Sequence, residues 1–161
     1  MKHTVKIMTI IYMALLLLAC NSDDDNATAF DFPLEGTTLS IDDIAGNWTA
    51  TFAEFQTVGD PSSLIDIVDA GGSLTLNIQN NGRFTSTISL PGVGSQQFSG
   101  QMGFSGSQLV LLDDTDEPGD EAFLNITLTP EDMLLLTGIL EFDFDEDGIF
   151  EDTNVDFRLI R

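Results

Sequence analysis

From Gly46 onward the apolar residues recur with a period of two rather than 3.6, the signature of strands with one buried face. In "SLTLNIQ", Leu74, Leu76 and Ile78 alternate with Ser73, Thr75 and Asn77. "RFTSTISL" sets Phe84, Ser86, Ile88 and Leu90 against Arg83, Thr85, Thr87 and Ser89. "QQFSGQMGF" puts Phe98, Gly100, Met102 and Phe104 on one face, and "QLVLL" is a short, more fully apolar strand. "FLNITLT" places Leu124, Ile126 and Leu128 on one side, and "MLLLTGILEF" makes a long strand. "TNVDFRLI" points Val155, Phe157 and Leu159 one way. With the opening "NWTATFAEF", the pattern predicts about eight strands.

Their connections are short. Asn80-Asn81-Gly82 is a hairpin signal, and "PGVG", "DDTDEPGDE" and "PED" mark further turns. Only Val58 to Gly72 is long enough to hold a helix or a lid. A run of adjacent antiparallel strands exposes two edges unless it closes. The predicted fold is therefore all-β, an antiparallel up-and-down barrel occupying residues 41–161 as one domain. A generic β-sandwich with Trp48 in its core is the competing arrangement.

Residues 1–19 read as a signal peptide. Lys2 and Lys6 form a basic start, and "IMTIIYMALLLLA" is too short for a comfortable membrane span. It ends in Leu17-Leu18-Ala19-Cys20, which resembles the lipobox of bacterial lipoproteins. The resemblance implies cleavage before Cys20, acylation there and anchoring to a membrane, each buried methylene contributing roughly 0.8 kcal/mol. An ordinary secretory signal carrying a cysteine is the alternative. Cys20 is the only cysteine, so no intramolecular disulfide forms. Ser22-Asp23-Asp24-Asp25 resembles the surface-export signal of Bacteroidetes lipoproteins, implying the outer membrane with the domain facing the cell exterior. A solvated tether facing the periplasm is the alternative. Residues 20–40 are expected to be a flexible acidic tether.

Charge narrows the chemistry. Lys2, Lys6 and His3 lie in the signal, so the mature chain keeps only Arg83, Arg158 and Arg161 against 27 carboxylates, a formal charge of 3 − 27 = −24. Such a surface repels nucleic acid and attracts cations. Without histidine, lysine or a free thiol there is no Ser-His-Asp triad, Schiff base or ordinary zinc site. Carboxylate chemistry, as in a glycosidase, and oxygen-ligated metal remain; Glu54 with Glu141 is the pair to consider for the former.

"SIDDIAGNWTATF" resembles the start of a lipocalin-like domain, with Gly46-Asn47-Trp48 matching that family's Gly-x-Trp. The whole chain resembles the compact lipocalin-like lipoproteins of Bacteroidetes. The resemblance implies that Trp48 plugs the closed end of the barrel. It also implies an arginine from the last strand across the Trp48 ring, with Arg158 the best match and Arg161 the fallback. It further implies a small-ligand cavity, for which Phe84, Ile88, Phe98, Met102, Leu124, Leu136, Leu140 and Phe142 are the expected lining. In small barrels such residues often fill the interior completely.

The remaining motif is Asp143-x-Asp145-x-Asp147-Gly148, the spacing of a calcium loop. The Ile149 carbonyl and Glu151 are the next ligands, with Asp152 as a substitute. Loop position twelve is Asn154 and the flanks read as strands, so this is not an EF-hand. It is a hairpin turn first and a weak calcium loop second. The cluster Asp113, Asp114, Asp116, Glu117, Asp120 and Glu121 lacks that spacing and reads as a solvated loop. Three functions follow: a barrel that binds a small apolar ligand or a protein partner, tuned by calcium; an accessory lipoprotein with a filled barrel; and a carboxylate-dependent glycosidase. The first is favoured, and no enzymatic activity is expected.

Overall fold

The two-residue period becomes a set of strands that wrap their apolar faces around a common interior. The structure is a computed structural model and describes residues 30–92, 94–143 and 149–161. A one-turn helix α1 (Ile41–Ile44) leads into β1 (Gly46–Thr57). A 3₁₀ turn (Pro61–Ser63) and the two-residue β2 (Ile65–Asp66) follow. Then come β3 (Ser73–Ile78), β4 (Arg83–Leu90), β5 (Gly94–Ser105) and β6 (Gln108–Asp113). The last three are β7 (Ala122–Leu128), β8 (Met133–Phe142) and β9 (Glu151–Ile160).

From β3 to β9 each strand pairs antiparallel with the next, β1 pairs with β3, and β9 returns to β1. The result is an eight-stranded closed antiparallel barrel, consistent with a lipocalin-like topology. β2 is an addition to the wall. It pairs with Glu54 and Phe55, beyond the point where β3 leaves β1 at Thr49. The long Val58–Gly72 connection thus holds a 3₁₀ turn and a short strand, and buries Ile67 completely.

β1 keeps one face inward along its whole length only because its register shifts between Ala50 and Phe52. Below the shift Trp48 and Ala50 are buried; above it Ala53 and Phe55 are. The extra residue flips the parity, as a β-bulge does. Thr51 at the bulge donates its hydroxyl to the Arg158 carbonyl at 3.1 Å. Phe52 is turned outward, where the Arg158 guanidinium lies 4.4 Å from its ring centre.

The expectation for Arg158 is therefore corrected: Arg161, not Arg158, covers Trp48, at 4.6 Å from the ring centre. The reason is strand parity. Val155, Phe157 and Leu159 are buried, so Arg158 must point out, and Arg161 continues the inward row. α1 closes this end. Ser40 caps it, accepting from the Asp43 amide while its own amide donates to the Asp43 carboxylate at 2.8 Å. Ile41 and Ile44 are fully buried. The helix's terminal carbonyls would otherwise be orphaned. The Trp48 indole donates to the Ile44 carbonyl at 2.8 Å, and Arg161 donates to the Ala45 carbonyl at 3.0 Å. Arg161 also grips Asp132 of the β7–β8 turn through two hydrogen bonds of 2.6 and 2.7 Å. One side chain so joins the plug helix, the first strand and a turn.

Of the stretch expected to be a tether, residues 20–29 lie outside the described residues. From Phe30 the chain is packed on the barrel as a strap. The Phe32 ring meets Phe123 edge-on at 6.1 Å, and a Cβ on Gly103 would fall 2.7 Å from Phe32. Val110 points outward between these two residues in the sheet, yet is fully buried. That explains why "QLVLL" is apolar on both faces. The strap then crosses the closed end: the Phe104 amide donates to the Pro33 carbonyl and the Ile41 amide to that of Leu34, both at 2.8 Å. At Gly100 the wall itself is tight, since a Cβ there would collide with the Leu112 carbonyl oxygen.

Trp48→Ala is expected to lose about 3–5 kcal/mol in urea unfolding, as for other large buried aromatic deletions. Arg161→Ala should lose about 1–2 kcal/mol through its hydrogen bonds and ring contact. Arg158→Ala should lose under about 1 kcal/mol, because it lies on the outer face and its ion pair with Asp156 is long, at 3.5 Å. Equal losses for the two arginines would contradict this account of the closed end.

Candidate functional site

Closing one end leaves the other to decide whether the interior is reachable. The barrel contains a cavity of about 390 Å³. That lies in the lower part of the range typical of small-molecule sites. All eight side chains expected from the sequence line it: Phe84, Ile88, Phe98, Met102, Leu124, Leu136, Leu140 and Phe142. Phe55, Leu74, Leu76, Leu111, Phe157 and Leu159 complete the apolar wall, and Ser86 is its polar interruption. Ring contacts link Phe98 to Phe142 at 5.9 Å, Phe142 to Phe55 at 5.3 Å and Phe55 to Phe157 at 5.1 Å. These rings form a continuous aromatic chain from β5 across the interior to β8, β1 and β9, each contact in the favourable tilted range.

The rim has the opposite character. Asp113, Asp116, Asp120, Glu121, Glu141 and Asp152 line the same cavity. Four come from the end of β6 and the β6–β7 connection, one from the end of β8 and one from the start of β9. Strand direction explains the gathering: these ends all emerge away from Trp48. The cluster expected to be a solvated loop is thus in part the mouth of the cavity. The missed signal was topological, since counting alternating strands puts the β6–β7 and β8–β9 connections at one end.

The local chemistry holds this loop in place. The Asp113 carboxylate accepts from the Thr115 amide at 2.9 Å and its hydroxyl at 2.8 Å. The Glu121 carboxylate accepts from the Gly119 amide at 3.0 Å. Partial burial, together with Asp113, Asp120 and Glu141, holds the Asp116 carboxyl above the usual aspartate range. Glu141 and Asp152 are direct cross-strand partners, an unfavourable placement of like charges. No arginine forms an ion pair with a rim carboxylate. Arg83 pairs with Asp114, Arg158 with Asp156 and Arg161 with Asp132. The Arg83 guanidinium and the Ser99 hydroxyl hold the Asp114 carboxyl below its ordinary range, on a side chain that does not line the cavity.

Of the expected calcium ligands, Asp145 and Asp147 lie outside the described residues. Asp143 and Ile149 flank that stretch, and Glu151 and Asp152 open β9, where Glu151 pairs with Phe142 and Asp152 with Glu141. Among the described residues no three carboxylates are grouped to hold a metal ion. Cys20 and the signal also lie outside the described residues. Glu54 stands between the inward Ala53 and Phe55 and does not line the cavity, so it is not brought together with Glu141. Trp48 is likewise outside the lining, consistent with a plug rather than a ligand contact.

No protein-family model matches this chain, and a search of curated proteins finds no significant match.

The raised Asp116 carboxyl carries a stability cost. An aspartate whose folded pKa exceeds its unfolded value of about 3.9 disfavours folding once pH rises above both, and has no effect below both. Asp116→Asn should therefore be more stable than the parent at pH 7, with the advantage shrinking as pH falls through the carboxylate range. Urea unfolding of both proteins across that range measures it; an advantage independent of pH would point to packing instead.

Proposed function

We propose that the protein is a lipid-anchored, extracytoplasmic binding module whose lipocalin-like barrel carries a small apolar ligand. The observation that supports it most is the cavity of about 390 Å³, lined by aliphatic and aromatic side chains. A barrel used only for contact would gain stability by filling that space, since unfilled apolar volume lowers stability. The anchor rests on the resemblance of Leu17–Cys20 to a lipobox, and the outward-facing location on Ser22–Asp25.

Residues 21–161 contain every element described above and omit the acylated cysteine, so they provide a soluble form with strap and barrel intact. This form should bind the neutral fluorescent dye N-phenylnaphthylamine with blue-shifted, enhanced emission. Ser86→Phe projects a ring into the cavity and should weaken dye binding by at least about tenfold while leaving the fold cooperative. Undiminished binding by Ser86→Phe, or no binding by the parent, would contradict carriage in the barrel.

Calcium tuning belongs to the same reading. It draws support from the Asp143-x-Asp145-x-Asp147-Gly148 spacing and from the apposed carboxylates of Glu141 and Asp152. Extracellular modules bind calcium with dissociation constants of about 10⁻⁴–10⁻³ M. Millimolar calcium should then raise the melting temperature, and Asp145→Asn with Asp147→Asn should abolish the rise. An unchanged melting temperature in the parent would remove calcium from the account.

A further inference from the structure

We infer that the ligand is a cationic amphiphile, an apolar body bearing a protonated or quaternary amine. This rests on the carriage reading above and specifies the chemistry of the same cavity. The wall is apolar and aromatic, whereas the rim carries Asp113, Asp116, Asp120, Glu121, Glu141 and Asp152. An apolar body with an anionic head, such as a fatty carboxylate, would place its charge among like charges. A neutral body would leave the rim carboxylates uncompensated. An ammonium group at the rim would meet carboxylates from three elements while its apolar body lay against the wall.

Two further observations favour an organic cation carried by the ligand. Among the described residues the arginines form their ion pairs with Asp114, Asp156 and Asp132 and not with a rim carboxylate, although Arg83 also feels the charge of Asp113. The rim carboxylates also come from separate elements, the end of β6 with the β6–β7 connection, the end of β8 and the start of β9. An alkylammonium on an apolar body can meet such a spread of carboxylates without drawing them together. The rings of Phe98 and Phe142 lie in the same wall, and Phe142 follows Glu141 directly. Aromatic faces beside carboxylates attract ammonium groups that are too large for a compact metal site.

The test uses residues 21–161 in EDTA at pH 7, with N-phenylnaphthylamine displaced by decylamine, decanol or decanoate. These competitors share one apolar chain and differ in head charge: positive, neutral and negative. Decylamine should displace the dye at a concentration at least about tenfold below decanol, with decanoate weakest. The advantage should shrink with added sodium chloride. Asp116→Asn combined with Glu141→Gln and Asp152→Asn should reduce the ratio of decanol to decylamine concentrations needed for displacement to less than about threefold. Equal displacement by decylamine and decanol would overturn the cationic head and leave carriage standing. An advantage undiminished in the triple variant would place the amine elsewhere and overturn the inference as well. Failure of the dye to bind at all would remove carriage and this inference together.

Discussion

The seam between the first and last strands is the constraint on which the rest of the molecule depends. β1 must serve two neighbours, β3 along its first four residues and β9 along most of the remainder. It must also keep Trp48, Ala50, Ala53 and Phe55 facing in. A regular strand cannot do this, because 48 and 50 differ in parity from 53 and 55. The bulge at Thr51 reconciles them. With it, the sheet closes, no long edge is left exposed, and Arg161 arrives over Trp48 to complete the plug. Without it, either Trp48 or Phe55 would face solvent.

Closure at one end makes the other end the place where chemistry can differ. The barrel wall is apolar, and much of the acidic sequence is gathered into the connections at the open end. That distribution carries a cost in repulsion, visible in the raised Asp116 carboxyl and in the Glu141–Asp152 pair. Structures retain such unfavourable placements where a bound group relieves them. In the proposed carriage the apolar wall would supply affinity and the acidic rim would select the charge of the head.

Much of this was legible in the sequence. Strict alternation located the strands, and short connections between adjacent antiparallel strands implied a closed barrel. The same alternation picked out the cavity lining, because inward residues are simply every second one. Three things were read differently. Arg158 was matched to Trp48 by its place on the last strand, although its own neighbours Phe157 and Leu159 already required it to point outward. The polar composition of residues 20–40 predicts a tether, yet its described part from Phe30 packs on the barrel. Its few apolar residues, Phe32 and Leu39 among them, pack against the barrel, and Gly36 lies close against Phe104. The acidic stretch after Leu112 was read locally, whereas its meaning depends on which end of the barrel it reaches, a long-range property set by strand count and direction.

The central claim is that a cationic amphiphile enters the barrel tail first, with its head at the acidic rim. Intermolecular nuclear Overhauser effects between decylamine and methyl-labelled protein test it most directly. The account predicts contacts from the terminal methyl of the chain to Leu136 and Leu159, inside the wall, and from the methylene beside nitrogen to Ala122 at the mouth. Contacts confined to exposed outer residues such as Leu64 or Ile160, or a reversed order along the chain, would contradict it.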